Sequence, residues 1–355
     1  MKPSLLTLVF ITGILIAGCT SAQSAALSGA LETPPAALAS PSRALTQPVS
    51  TATSAPQNST TPVTPATVSP ATTNTKPVKP VASKAPTRSS AIPSLTPFQN
   101  STAAPTLGPD GWKELPVIPT IDDEVLKIYA RGLDLGNNLQ AFSKIGDCGS
   151  TPAWFLGDFD RGPRYFRLGE YEYLQDVIQY FQGSFDRTSL AARSGFNASA
   201  LFVPLWADRK FCEANETPLA CEYRVHRPIA AFIMLGTNDV WRPAEFEPQM
   251  RKIIEFSIEN GVIPILVTKA DNQEGDGSIN ATIARLALEY KVPLWNFWKA
   301  VSGLPEEGLQ EDGVHLTWAA NHFDDPLAMN SAWPVRNLTA LQVLNQLWQK
   351  VSQSK

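Results

Sequence analysis

"AFSKIGDCGST", residues 141–151, carries an apolar run into Gly146-Asp147 and then presents a thiol, Cys148. The run "QAFSKIG" (140–146) reads as a strand, and the polar, glycine-containing residues after it read as a loop. The same pattern recurs at "PIAAFIMLG" (228–236), a continuous buried strand that empties into Gly236-Thr237-Asn238-Asp239. Helix-like stretches alternate with the strands. "EYEYLQDVIQYFQG" (170–183) is a helix ended by glycine, and "FEPQMRKIIEFSIENG" (246–261) is amphipathic and closes on Asn-Gly, a helix stop. Then come "VIPILVTK" as strand, "SINATIARLALEY" as helix, "VPLWNFW" as strand, and the amphipathic "RNLTALQVLNQLWQKV" as a last helix. Strands alternating with long helices predict a three-layer α/β/α fold with a mainly parallel central sheet. Chemistry in such sheets gathers at the carboxyl ends of strands, where both polar loops lie.

The N-terminal third has a different character. Met1-Lys2 is a short basic start, "LLTLVFITGILIAG" is apolar but short for a membrane span, and Ile16-Ala17-Gly18-Cys19 ends the run. This stretch resembles a bacterial lipoprotein signal, whose lipobox is an aliphatic residue, two small residues and the cysteine that takes the lipid. The resemblance implies a signal peptide over residues 1–19, lipidation of Cys19, export, and a membrane anchor for an extracytoplasmic domain. Residues 20–110 hold 15 of the 30 prolines, mixed with Ser, Thr and Ala. Such a segment has too little apolar surface to offset the entropy of ordering it, so it reads as a disordered, stiff spacer.

All nine tryptophans fall in residues 111–355, a length that suits one domain with a full core. That region carries 23 basic against 31 acidic residues, a balance of −8 that argues against nucleic acid as a partner. No internal repeat and no second long apolar segment occur, and the domain is expected to be a monomer.

A third polar segment, "EDGVHLTW", supplies Asp312 and His315, three residues apart. Acyl transfer needs a nucleophile, a base, a group orienting the base, and donors facing the developing oxyanion. Cys148, His315, Asp312 and Asn238 could fill those roles. In order along the chain, Gly146-Asp147-Cys148, Gly236-Thr237-Asn238-Asp239 and Asp312-Gly313-Val314-His315 resemble the motifs of the SGNH hydrolases, or GDSL esterases, whose fold is flavodoxin-like. The resemblance covers essentially all of residues 111–355. It implies a Cys148–His315–Asp312 catalytic arrangement and an oxyanion hole built from the N–H of Cys148, a glycine N–H and Asn238. Gly195 in "ARSGFNAS" is the best match for that glycine, ahead of Gly183, which looks like a helix cap. The departure is at the nucleophile, where the family has serine. No Gly-x-Ser-x-Gly elbow occurs, which disfavours the other large esterase fold.

With Cys19 assigned to lipid, the close spacing in "FCEANETPLAC" makes Cys212–Cys221 the natural disulfide of an exported protein. Pairings with Cys148 stay open; if the local pair forms, Cys148 is left as a thiol, either buried and inert or activated. Its position before an expected helix and near a histidine would favour the thiolate. His226 precedes a strand, which points to a structural role at the sheet end away from the loops. His322 fits a surface loop or a pocket. Asp147 and Asp239 read as acceptors that fix their loops rather than as catalysts.

"DNQEGDG" (271–277) does not match the calcium loop spacing and reads as a solvated turn. Three scattered histidines give no zinc pattern, so neither metal nor cofactor is expected. Trp241 and Trp318 follow two of the motifs and suit either a sugar-binding wall or core packing. The reading is thus a surface-anchored ester hydrolase whose substrate is an acylated sugar or glycoconjugate. Its rivals are a non-catalytic glycan-binding module and an acyltransferase.

Overall fold

Every residue of Pro228–Met234 and of Ile263–Val267 is buried, which requires cover on both faces of the strands they form. In the computed structural model, which describes residues 107–353, these are the central strands of a parallel sheet. In chain order the strands are β1 (Asn138–Gly146), β2 (Phe166–Arg167), β3 (Pro228–Met234), β4 (Ile263–Val267), β5 (Leu294–Trp295) and β6 (Asn321–His322). The α-helices are α1 (Glu124–Asp134), α2 (Asp158–Arg161), α3 (Gln175–Tyr180) and α4 (Pro218–His226), followed by α5 (Pro243–Glu259), α6 (Ser278–Tyr290), α7 (Phe297–Val301) and α8 (Ala332–Ser352).

The main sheet runs β1-β3-β4-β5, with Gly146 opposite Met234, Ala230 opposite Ile263, and Leu266 opposite Leu294. A parallel bridge from Ala192 to Gly146 adds a rudimentary strand on the outer side of β1. A separate parallel pair joins β2 to β6. The expected α/β architecture with a parallel central sheet and helices on both sides is what the chain adopts.

The sheet core is strongly aromatic. Phe142 packs edge-on against Phe181, Phe185 and Phe232 with centroids 5.1–5.9 Å apart, and Phe155 and Trp295 continue the cluster through Phe232. Such contacts add to the area burial that dominates folding.

Three expectations need correction. "VPLWNFW" is a strand only at Leu294–Trp295; the Asn296 side chain then accepts the Lys299 N–H and starts α7. The helix expected over 170–183 is a 3-10 segment, Gly169–Leu174, with a break at Tyr171, followed by the short α3. Cys148 opens a three-residue 3-10 turn, Cys148–Ser150, and not an α-helix, so the helix-dipole argument for its thiolate lapses.

The expected Cys212–Cys221 disulfide is present, with Cα atoms 5.3 Å apart. The signal over 1–19, Cys19 and all but the last four residues of the spacer lie outside the described residues. Among the described residues no helix is long and apolar enough to cross a membrane.

Candidate active site

Gly146 is where backbone conformation first dictates the site. Its φ is +152°, and a Cβ there would stand 2.1 Å from the Met234 carbonyl oxygen and 2.4 Å from Ser150 Oγ. Only glycine lets β1 and β3 approach this closely at their carboxyl ends. The chain then turns at Asp147, whose Oδ1 accepts the Gly149 N–H at 2.9 Å and so caps the turn carrying Cys148. Thr151 closes the turn by donating its hydroxyl to the Cys148 carbonyl at 2.8 Å. Burial pushes the Asp147 carboxyl up, against the opposing pull of Arg336 and the Gly149 N–H.

The loop after β3 is held in the same manner. Asp239 accepts the Gly236 N–H at 3.1 Å and reaches across to the Ala198 N–H at 2.9 Å, tying this loop to the segment after Ala192. Burial raises its carboxyl to about 6, with the two backbone donors pulling the other way. Both aspartates are loop-fixing acceptors, as read from the sequence. The Asn238 amide donates to the Phe196 carbonyl at 3.0 Å and toward Asp147 Oδ2 at 3.4 Å, so it bridges three loops.

Asp312 and His315 form a compact hook. One carboxylate oxygen accepts the backbone N–H groups of Val314 and His315, both at 2.9 Å, and the other meets His315 Nδ1 at 2.5 Å. Burial would raise the Asp312 carboxyl, but the bonds from the His315 ring and the two backbone donors outweigh it and hold it below the ordinary value.

Cys148 and His315 border one cavity of about 110 Å³. Asp312, bonded to His315, is outside the lining, and Asn238 and Gly195 are outside it as well. Gly195 follows the bridge at Ala192 as expected, but it is exposed at the third position of an Arg193–Phe196 turn, with φ +80°. His226 lies at the end of α4, 3.7 Å from the buried Glu222, and His322 is in β6; neither lines the cavity.

Cys148 is disulfide-bonded, and among the described residues no cysteine is free. The expectation that a Cys212–Cys221 pair leaves Cys148 as a thiol is therefore corrected. The turn over 271–277 is corrected too. Asp271 is buried, and with Glu274 it receives the buried Lys269 ammonium, at 2.7 and 2.5 Å. The Thr237 hydroxyl donates to Asp271 at 2.7 Å, so this charged cluster braces the loop after β3 from below.

Trp241 and Trp318 are not core residues, being 87% and 57% exposed. The cavity's aromatic wall is instead Trp154 and Trp333, whose rings lie 5.4 Å apart, with Trp318 edge-on to Trp333 at 5.8 Å. Arg336 and Lys269 also line the cavity. Sequence reasoning missed these wall residues; the available signal was the spacing of Trp333 and Arg336, one turn apart at the start of the last amphipathic helix.

For a metal, the only cluster of ligand-type side chains among the described residues is Cys212, Glu216 and Cys221. Its two sulfurs are bonded to each other, which removes the thiolates a metal would need.

No family model matches the chain, and no curated protein matches it. Among solved structures, it is similar to a GDSL-like lipase from Bacteroides thetaiotaomicron at 15% identity and a TM-score of 0.35. That similarity covers 63% of this chain and 97% of the lipase.

Proposed function

We propose that this chain is an SGNH-like ester hydrolase in which Cys148 is the nucleophile, His315 the general base and Asp312 the group that orients the base. The observation that carries the reading is the shared cavity. Cys148 and His315 both border it at the carboxyl ends of the strands, and Asp312 binds His315 Nδ1 at 2.5 Å. A carboxylate on Nδ1 selects the tautomer whose basic nitrogen is Nε2 and stabilises the imidazolium that forms.

In acylation the imidazole takes the thiol proton and the thiolate adds to the ester carbonyl. The C–O bond then breaks as the imidazolium returns the proton to the departing alcohol. Water, deprotonated by the same imidazole, attacks the thioester; the C–S bond breaks, the acid leaves and sulfur regains its proton. For the oxyanion, Cys148 with its N–H borders the cavity, while Gly195 and the Asn238 amide, outside its lining, would have to turn toward it. The Asn238 N–H directed at Asp147 makes the longer of its two bonds, and is the one an oxyanion would capture. The chemistry requires sulfur as thiol or thiolate, so a thiol reductant must open the Cys148 disulfide before turnover.

A cavity of about 110 Å³ holds about four water-sized groups, which suits a short acyl chain. Exposed Trp318 beside the cavity wall favours a sugar as the alcohol part, because pyranose faces pack on indole rings. The domain is proposed to work outside the cytoplasm, anchored to a membrane by a lipid thioether on Cys19, a sulfur that then cannot also pair with Cys148.

The disulfide at Cys148 favours a second reading, a non-catalytic glycan-binding module that keeps the aromatic wall and has no nucleophile. Hydrolysis of an aryl acetate separates the two. The natural protein should turn over only with reductant, Cys148→Ser should turn over without it, and Cys148→Ala should be inactive while folded. His315→Ala should lower both active forms by about 10²–10⁴-fold. Inactivity of reduced natural protein and of Cys148→Ser on a broad ester panel would sink the hydrolase. The module reading then requires sugar binding that is lost in Trp318→Ala. Product that depends on an added sugar acceptor would convert the hydrolase into an acyltransferase.

A further inference from the structure

Arg336 stands on the first turns of α8 and is 8% exposed, with its guanidinium 4.6 Å from the ring of Phe155 and 5.6 Å from that of Phe297. A guanidinium has five N–H donors and stays charged at neutral pH. Here Nη1 donates to the Gly149 carbonyl at 2.9 Å and Nη2 to the Met234 thioether at 3.1 Å, a weak acceptor. Nε is buried without a partner, and so is Nε1 of Trp333, one turn earlier on the same helix. Among the described residues no carboxylate makes an ion pair with Arg336. The two oxygens of Asp147, a charge that acts on it, serve Gly149 and Asn238.

Lys269, on the wall of the same cavity, is the contrast: it is buried against two carboxylates. For Arg336, Asp147 supplies a counter-charge at longer range but no carboxylate in contact with the guanidinium, and a buried charge that lacks a hydrogen-bonded partner of opposite sign is costly. The planar guanidinium fork matches a carboxylate.

Resting on the hydrolase reading above, we propose that Arg336 binds a carboxylate carried by the acyl group. The preferred substrate is then a half-ester of a short dicarboxylic acid, such as a malonyl or succinyl ester. The cavity's size restricts the chain to a few atoms between the scissile carbonyl and the carboxylate. The reaction remains hydrolysis, and the second carboxylate passes through unchanged.

The test has a binding arm and a turnover arm. In calorimetry with the natural protein, succinate should bind and neutral succinamide should not. Arg336→Met should abolish succinate binding, and Arg336→Lys, which keeps the charge on a similar stem, should retain a weakened form if Arg336→Met fails to fold. In turnover by the reduced protein, kcat/KM for an aryl hydrogen succinate should exceed that for the neutral aryl butyrate by roughly 10–100-fold, and Arg336→Met should erase the ratio. A third ester, an aryl acetate with the carboxylate on the ring, locates the charge; preference for it would overturn the acyl assignment. Equal binding of succinate and succinamide, no succinate binding, or a preference that survives Arg336→Met would also overturn it. Hydrolysis without discrimination would remove this role from Arg336 and leave the hydrolase standing. Succinate binding at Arg336 with no ester turned over would remove the hydrolase and leave the carboxylate site.

Discussion

Replacing Gly146 with alanine probes the junction on which the candidate site is built. The added methyl would meet the Met234 carbonyl oxygen at 2.1 Å and Ser150 Oγ at 2.4 Å, and real Cβ atoms essentially never approach closer than 3.0 Å. Ser150 can rotate, but Met234 belongs to β3 and is paired with Gly146 in the sheet. The strands must therefore separate by roughly 1 Å. Holding a non-glycine residue at φ +152° costs about 1–3 kcal/mol, and overpacking the strand pair costs about 1–3 more. The separation also strains the bonds from Gly146 N–H to Ala191 and from Arg193 N–H to Gly146, both 3.1 Å. A total near 4 kcal/mol is a large share of the 5–15 kcal/mol typical of a domain. In urea, with a slope of about 2–3 kcal/mol/M, the midpoint should fall by about 1.5–2 M. Because Cys148 follows two residues later, a shift of this size should also lower ester turnover by about 10²-fold in whatever fraction stays folded. Gly303→Ala is the control. Nothing lies within 4 Å of its added methyl, and the midpoint should stay within about 0.5 kcal/mol of the natural protein. A Gly146→Ala midpoint equivalent to less than 1 kcal/mol of loss, with normal turnover, would refute the close-approach reasoning.

Asp312→Asn should keep an acceptor for the Val314 and His315 backbone donors but turn an amide N–H toward the ring, costing about 10²–10⁴ in kcat/KM; a change under about threefold would dismiss the orienting role. The folded carboxyl of Asp239 lies at about 6 against an ordinary 3.8, so the folded state binds its proton more tightly. Its contribution to stability is therefore fully present below about 3.8 and falls by about 3 kcal/mol as pH rises through about 6, and Asp239→Asn should flatten this slope. An NMR titration placing that carboxyl below 4 would contradict the prediction. Paired Cys212→Ser and Cys221→Ser should lose about 2–3 kcal/mol of stability, read as a melting shift absent when the natural protein is assayed reduced. Cys19→Ala, expressed in a bacterium, should accumulate uncleaved or mislocalised protein; correct processing and normal membrane retention without Cys19 would end the anchor proposal.

Much of the architecture was legible along the chain because its signals are local. Continuous apolar runs at 228–236 and 262–269 and helices closed by Asn260-Gly261 follow from periodicity and capping, which act within a few residues. The same holds for the Asp312–His315 hook, whose partners are one turn apart, and for Cys212–Cys221, nine residues apart. "VPLWNFW" misled because an apolar run reads alike as strand or helix until Asn296 caps α7.

The cavity wall was decided by tertiary structure alone. Arg336 touches Gly149, 187 residues away, and stacks on Phe155 and Phe297, and no local pattern encodes those meetings. "DNQEGDG" looks solvated in sequence because it is acidic and glycine-rich. The Asp271 and Glu274 side chains are buried because Lys269, just after β4, enters the same space and forms an ion pair with each. Charge pairing and close approach depend on which strand ends the sheet order brings together, and that order is a property of the whole fold.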